Sequence, residues 1–152
     1  MPWYRIADKR YPIFDGTGAK LTGGRWNSPG RAVIYAAETF AGATLEVLVH
    51  INLAKMPRNY AYIEISVPHD VSIETVSPED VPGWDDPDQA ASRAIGDRWL
   101  ADARSTVLLV PSLLTGGVER NVLINPVHSA FWRISATEAN AVPWDSRLFK
   151  HR

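Results

Sequence analysis

The sequence predicts an α+β fold in a single domain spanning residues 1–152. Three observations carry this expectation. The chain has 152 residues, 45% of them apolar, an ordinary share for one globular domain with a core of useful size. Its apolar runs are short, mostly of β type, and stop at prolines, glycines or polar turns. Only two stretches carry helical spacing, so the strands and helices do not alternate as a regular βαβ array would.

The elements follow in order. Trp3–Ile6 reads as a first strand, and polar, turn-rich Asp8–Thr22 as a surface loop. Ala32–Ala37 is a buried-type strand. Thr39–Ile51 is a helix, with Phe40, Thr44, Val47, Leu48 and Ile51 on one face and Thr39 near its N-cap. Tyr60–Val67 alternates as a two-faced strand that Pro68 ends, and Val71–Val76 is another short strand. Ser77–Pro87, rich in Pro and Asp, is loop. Asp88–Arg104 is a helix with Ala91, Ile95, Trp99 and Leu100 inward and Asp97, Arg98 and Asp102 mostly outward. Strands over Thr106–Val110 and Asn121–Ile124 end at Pro111 and Pro126, and Phe131–Ala136 is the last strand. The tail Pro143–Arg152 docks or frays. Most of the six tryptophans are expected in the core.

Composition excludes several function classes. The formal net charge is −1, so nothing draws the whole chain to nucleic acid or to an anionic membrane. There is no cysteine, which removes disulfides, thiolate catalysis and cysteine metal sites. The four histidines, at 50, 69, 128 and 151, show no metal-ligand spacing, so no metal is expected. The N-terminus lacks the basic and apolar regions of a signal peptide, and no apolar run is long enough to span a bilayer; a cytoplasmic location is expected. Neither a P-loop nor a Gly-x-Gly-x-x-Gly fingerprint is present.

The most informative stretch is Gly23-Gly24-Arg25-Trp26-Asn27-Ser28-Pro29-Gly30, running into Arg31-Ala32-Val33-Ile34-Tyr35-Ala36-Ala37. A glycine pair allows close backbone approach. A guanidinium is the side chain best shaped to grip phosphate. Such a loop suits an anionic, partly aromatic small molecule; the same residue types also build ordinary turns. Glu46 falls off the apolar stripe of its helix, with Gly42, Ala43 and His50. It is either a solvated residue or a carboxylate facing a cleft, placed to oppose positive charge on a sugar in a transition state. Ser112 stands at the end of an apolar strand without a nucleophile elbow, which leaves a hydrogen-bonding role or a Pro-Ser turn. Asn125, before Pro126, is expected to tie its side chain to nearby backbone.

Taken together, Tyr4-Arg5-Ile6, Gly24 to Gly30, Val33-Ile34-Tyr35-Ala36, Leu45-Glu46-Val47-Leu48, Val110-Pro111-Ser112 and Asn121 to Pro126 resemble the RES-domain family, the toxins of Xre–RES toxin–antitoxin systems. The resemblance runs from near residue 3 to about residue 134. It implies an ADP-ribosyltransferase-like split β-core with flanking helices around an NAD-binding cleft. It also implies cleavage of the nicotinamide–ribose bond, with water, phosphate or a protein as acceptor. By the same resemblance Arg25, Tyr35, Glu46 and Ser112 match the family's catalytic positions, and Arg5 matches a second early arginine. Arg25, Tyr35, Trp26, Asn27 and Arg5 are then expected to contact NAD, which is substrate rather than resident cofactor. An Xre-type antitoxin is the implied partner, inserting a segment near Arg25, with DNA contacts supplied by the antitoxin. Two other classes compete: a ribonuclease toxin or RNA-binding module, which the near-neutral charge disfavours, and a non-catalytic interaction domain, which the complete residue set disfavours.

Overall fold

The protein is described here by a computed structural model covering residues 2–149. Eight strands form one mixed sheet: β1 (Trp3–Asp8), β2 (Ile34–Ala37), β3 (Tyr60–Ser66), β4 (Ile73–Thr75), β5 (Val107–Pro111), β6 (Arg120–Ile124), β7 (Ser135–Ala136) and β8 (Asn140–Ala141). Their order is β4-β5-β6-β2-β1-β3-β7, with β8 also on β3. Only β4 and β5 run parallel. The helices are α1 (Thr17–Thr22), α2 (Phe40–Leu48) and α3 (Ala90–Asp102). None of the described helices is long and apolar enough to cross a membrane.

Strand alternation sorts the residues onto two faces. One face is a continuous core, with Ile34 and Ala36 from β2, Ile63 and Ile65 from β3, Leu109 from β5 and Val122 from β6. The other face carries two separate clusters. Trp99 and Leu100 of α3 cover Leu108, Val110 and Leu123, together with Trp26, Val33 and Trp84. Ala43 and Val47 of α2 cover Ile6 and Ala37, joined by Phe40 and Tyr62. Between the two helix-covered clusters lies a valley.

That valley sits where the sheet splits. β1 pairs with β3 over six consecutive positions, from Trp3↔Ile65 to Asp8↔Tyr60. It meets β2 at the single pair Tyr4↔Ala37. The Arg5 guanidinium enters the gap as the strands diverge: Nη1 donates to the Tyr35 carbonyl at 2.8 Å and Nε to the Ile13 carbonyl at 2.7 Å. A side chain thus spans a place where a continuous sheet would carry backbone bonds.

The α+β expectation is met, and the principal strands and both long helices fall where periodicity placed them, with most ends trimmed, β1 running on to Asp8 and β6 beginning at Arg120. Thr39 caps α2 by accepting from the Gly42 N–H at 2.9 Å. Four expectations need correction. The loop expected over residues 8–22 contains α1, which Gly23 ends at φ 75° with its N–H on the Ala19 carbonyl. Pro111 is the last residue of β5 rather than the residue beyond it; it pairs with Arg120 at a strand end, where the missing N–H costs least. The strand expected over 131–136 is a 3₁₀ turn, Phe131–Arg133, followed by the two-residue β7. β8 was not expected; Asn140–Ala141 is polar and short, and becomes a strand only because the β3 edge offers partners. The tail docks as far as it is described: Phe149 is buried and meets Trp144 edge to face at 5.7 Å. Residues 150–152 of that expectation lie outside the described residues.

Candidate active site

The valley is a cavity of about 700 Å³ lined by β1, β2, α1, α2 and the segment of residues 23–26, with Asn121 of β6 and residues around 111–114 completing the wall. Arg25, Trp26, Tyr35, Glu46 and Arg5 all contribute to its wall.

The glycine-rich loop is a tight turn. The Gly24 N–H donates to the Asn27 carbonyl at 3.0 Å, leaving Arg25 and Trp26 at the tip. Helix α3 holds this turn in place. Ser92 Oγ donates to the Arg25 carbonyl at 2.6 Å, and Arg93 Nε to the Gly24 carbonyl at 2.9 Å. Asp97 accepts from the Ser28 N–H and hydroxyl at 2.8 and 2.6 Å. Asp97 therefore faces the loop and is the exception among the three residues expected to be mostly outward. Trp26 is buried and stacks on Trp84, ring centroids 6.5 Å apart.

Arg25 Nη1 donates to the Trp84 and Asp86 carbonyls, both at 3.1 Å. No carboxylate lies within ion-pair distance of Arg25 or Arg5 among the described residues. Carbonyls orient a guanidinium without cancelling its charge, so both arginines present net positive charge to the valley. Burial pulls the Arg5 pKa below its ordinary value, and the Asp15 charge works against that shift.

Tyr35 is anchored by its hydroxyl, which donates to Asn27 Oδ1 at 2.7 Å and accepts from the Trp26 N–H at 3.1 Å. Glycine at 24 makes this approach feasible, since a Cβ there would come within 2.7 Å of the Tyr35 oxygen. Burial pushes the Tyr35 phenol well above its ordinary pKa, so it stays a protonated donor. Tyr35→Phe is expected to cost about 1–3 kcal/mol, because it strands the Trp26 N–H and Asn27 Oδ1. Urea denaturation checks this; an unchanged midpoint would refute the anchoring role.

Glu46 projects from α2 into the cavity and accepts from Asn121 Nδ2 at 2.8 Å. It lines the cavity, which is the placement the cleft-facing reading required. Ala43 lines the wall beside it, whereas the bare side of Gly42 faces Thr39 and Glu119 rather than the cavity.

Two expected residues sit elsewhere. Asn27 is fully buried, with Nδ2 turned to the Ala19, Ser28 and Arg31 carbonyls and Oδ1 to Tyr35. Its amide is spent on shaping the loop, and it is not on the cavity wall. Ser112 is also buried and off the wall, although Pro111, Leu113 and Leu114 around it line the cavity. Its N–H donates to the Glu119 carbonyl at 2.9 Å. Asn125 behaves as expected of an Asn-Pro turn, accepting from the Val127 N–H at 3.0 Å.

Asn121, His50 and Gln89 line the cavity without having been singled out. A signal existed for Asn121: on β6 it shares a face with Leu123, so a polar residue occupies an inward position. His50 lies one helical turn beyond Glu46 on the same face. Gln89 has no sequence signature; it holds φ 61° at the start of α3.

The sequence matches the RES domain family over residues 2–145. It is 41% identical over 139 residues to the Prs ADP-ribosylating toxin of Sphingobium sp. (strain YBL2), covering 89% of this chain and 86% of that protein. It is 38% identical over 153 residues to Toxin Res of Yersinia enterocolitica, covering 97% and 99%. The fold matches a chain of the crystal structure of the M. tuberculosis MbcT–MbcA toxin–antitoxin complex. The TM-score is 0.74 at 22% identity, over 91% of this chain and 82% of that one.

Proposed function

This chain belongs to the RES-domain family, and on that premise we propose that it is an enzymatic toxin that cleaves the nicotinamide–ribose bond of NAD. The observation that carries the reading is the pairing, in one 700 Å³ cavity, of a charge-bearing arginine at a backbone turn with a carboxylate fixed across the valley.

Arg25 offers a guanidinium to the pyrophosphate, and Arg5 adds positive charge from the floor of the split. Tyr35 supplies aromatic surface beside them as a wall for the nicotinamide, whereas the Trp26 ring is spent in the core against Trp84. As the bond between the nicotinamide nitrogen and ribose C1′ breaks, its electron pair leaves with neutral nicotinamide. Positive charge then builds on the ribose. Glu46, held by Asn121, opposes that charge and strengthens its interaction as the transition state forms. The acceptor oxygen bonds to C1′ and gives up its proton to solvent.

The acceptor is water or phosphate in the first reading. A second reading, transfer to a protein, is favoured by the name of the Sphingobium relative. An antitoxin is the expected partner of either enzyme, because the fold is shared with a chain of a toxin–antitoxin complex. A carboxylate presented to Arg25 would mimic the charge of the pyrophosphate and block the cavity.

The deciding experiment incubates the pure chain with NAD alone, with phosphate and with cell extract, and identifies the products by mass. Nicotinamide release without extract supports hydrolysis or phosphorolysis; release only with extract, together with a mass gain on a protein, supports transfer. No nicotinamide under any condition refutes the enzyme reading. Arg25→Ala should raise KM about 10–150-fold, the equivalent of roughly 1.5–3 kcal/mol of charge-assisted bonding, with kcat changed far less.

A further inference from the structure

With ribose C1′ against Glu46 and the pyrophosphate on Arg25, the adenosine half of NAD must continue beyond Arg25. The Arg25 guanidinium itself turns that way: Nη1 donates to the Trp84 and Asp86 carbonyls, in the segment that leads into α3. Of residues 84–89, Gln89 alone reaches the cavity wall. It stands close to the Arg25 turn: Ser92 Oγ donates to the Arg25 carbonyl at 2.6 Å and lies 3.2 Å from the Gln89 carbonyl.

Two features set Gln89 apart. Ala103 and Gln89 are the described non-glycine residues at positive φ. Ala103 closes α3 at φ 50°, where helices commonly turn left-handed. Gln89 opens α3 at φ 61°, where extended backbone is the rule. Such strain collects at ligand-binding positions. Its amide is also unspent. It caps nothing in α3; Asp88 serves there, taking the Ala90 N–H at 2.9 Å, and no other described residue bonds the amide. A glutamine amide both donates and accepts, so it can serve a hydroxyl in either sense. The residues just before it are acidic. Asp85, Asp86 and Asp88 are exposed, and none has an ion-pair partner among the described residues. No Lys or Arg lies between residues 84 and 89.

We propose, on the NAD reading above, that Gln89 binds the 2′-hydroxyl of the adenosine ribose, and that the carboxylates before it make the cavity select NAD over the dinucleotide phosphorylated at that oxygen. A 2′-phosphate brings about two further negative charges against three uncompensated carboxylates. Discrimination comes from repulsion of the wrong ligand as much as from a bond to the right one.

Calorimetry on the full chain compares ADP-ribose with its 2′-phosphorylated and 2′-deoxy forms, both altered on the adenosine ribose. The parent should bind ADP-ribose at least about tenfold more tightly than the 2′-phosphate. Gln89→Gly removes the amide and takes φ 61° freely, so the urea midpoint should not fall. This variant should bind ADP-ribose about 3–10-fold more weakly, yet bind the 2′-deoxy form as the parent does, since that ligand lacks the contacted oxygen. A merely structural residue would weaken both ligands alike. Asp85→Asn, Asp86→Asn and Asp88→Asn together should bring ADP-ribose and its 2′-phosphate within about threefold of each other. Four results overturn the proposal and leave the NAD reading standing: equal affinity of the parent for ADP-ribose and its 2′-phosphate, an equal loss for ADP-ribose and its 2′-deoxy form in Gln89→Gly, an unmoved preference in the triple variant, or no binding of ADP-ribose by a chain that cleaves NAD. If the parent neither binds ADP-ribose nor releases nicotinamide from NAD, the NAD reading fails and the role of Gln89 with it.

Discussion

Glu46→Gln should lower kcat for nicotinamide release about 10²–10³-fold while leaving KM within a few-fold. Glutamine keeps the length of the side chain, and its carbonyl oxygen can still accept from Asn121 Nδ2, now 2.8 Å from Glu46 Oε1. What disappears is the negative charge, whose effect is greatest when the ribose is most positive. A near-normal kcat would remove Glu46 from the chemistry. The same residue separates toxicity from folding in cells. Expression of the parent chain should arrest growth, through loss of NAD to every dehydrogenase, and Glu46→Ala should not, while the variant still folds and binds its antitoxin. If Glu46→Ala arrests growth as strongly as the parent, the toxicity has another source.

Gly96→Ala should have the largest effect on the fold, destabilising it by about 3 kcal/mol or more. A Cβ on Gly96 would overlap the carbonyl oxygen of Trp26. Both partners are backbone-fixed: Gly96 is mid-helix in α3, and Trp26 sits at the tip of the 24–27 turn, its ring buried against Trp84. Neither can yield cheaply, so helix and turn must separate. The bonds from Ser92, Arg93 and Asp97 to that turn would lengthen together. Urea denaturation gives the loss of stability. KM for NAD should rise as well, because Arg25 rides on the same turn. An unchanged midpoint would show that the turn and α3 are not rigidly coupled.

The pattern of apolar residues made most of the fold legible. The alternation of β3, the all-buried run Val107–Val110 and the helical spacing of α2 and α3 are local signals, each written within a dozen residues. Elements without such a signal were missed. α1 carries Gly18 in its first turn and buries no residue, and β7 and β8 are two residues each. These exist because a neighbouring surface or strand edge satisfies them.

For the site, residue type and family resemblance pointed to Arg25, Tyr35 and Glu46, and these do line one cavity. The amide of Asn27 and the hydroxyl of Ser112 could not be placed by the same means, because a polar side chain after a turn reads alike whether it faces a ligand or its own backbone.

By itself the sequence determined the α+β class, the principal strands along the chain and the two long helices, all of which depend on neighbours in the chain, and it offered residues whose chemistry suits an anion and a cation. Only the tertiary structure decided where their side chains point. Arg25 is oriented by carbonyls 59 and 61 residues away, its turn is fixed by Asp97 69 residues from Ser28, and Glu46 is held by Asn121 75 residues on. Arg5 fills the split between β1 and β2, and that split opens the cleft. The physical reason is one of range: periodicity and propensity act over a few residues, whereas the direction of a polar side chain is set by whichever donor or acceptor the folded chain brings within about 3 Å.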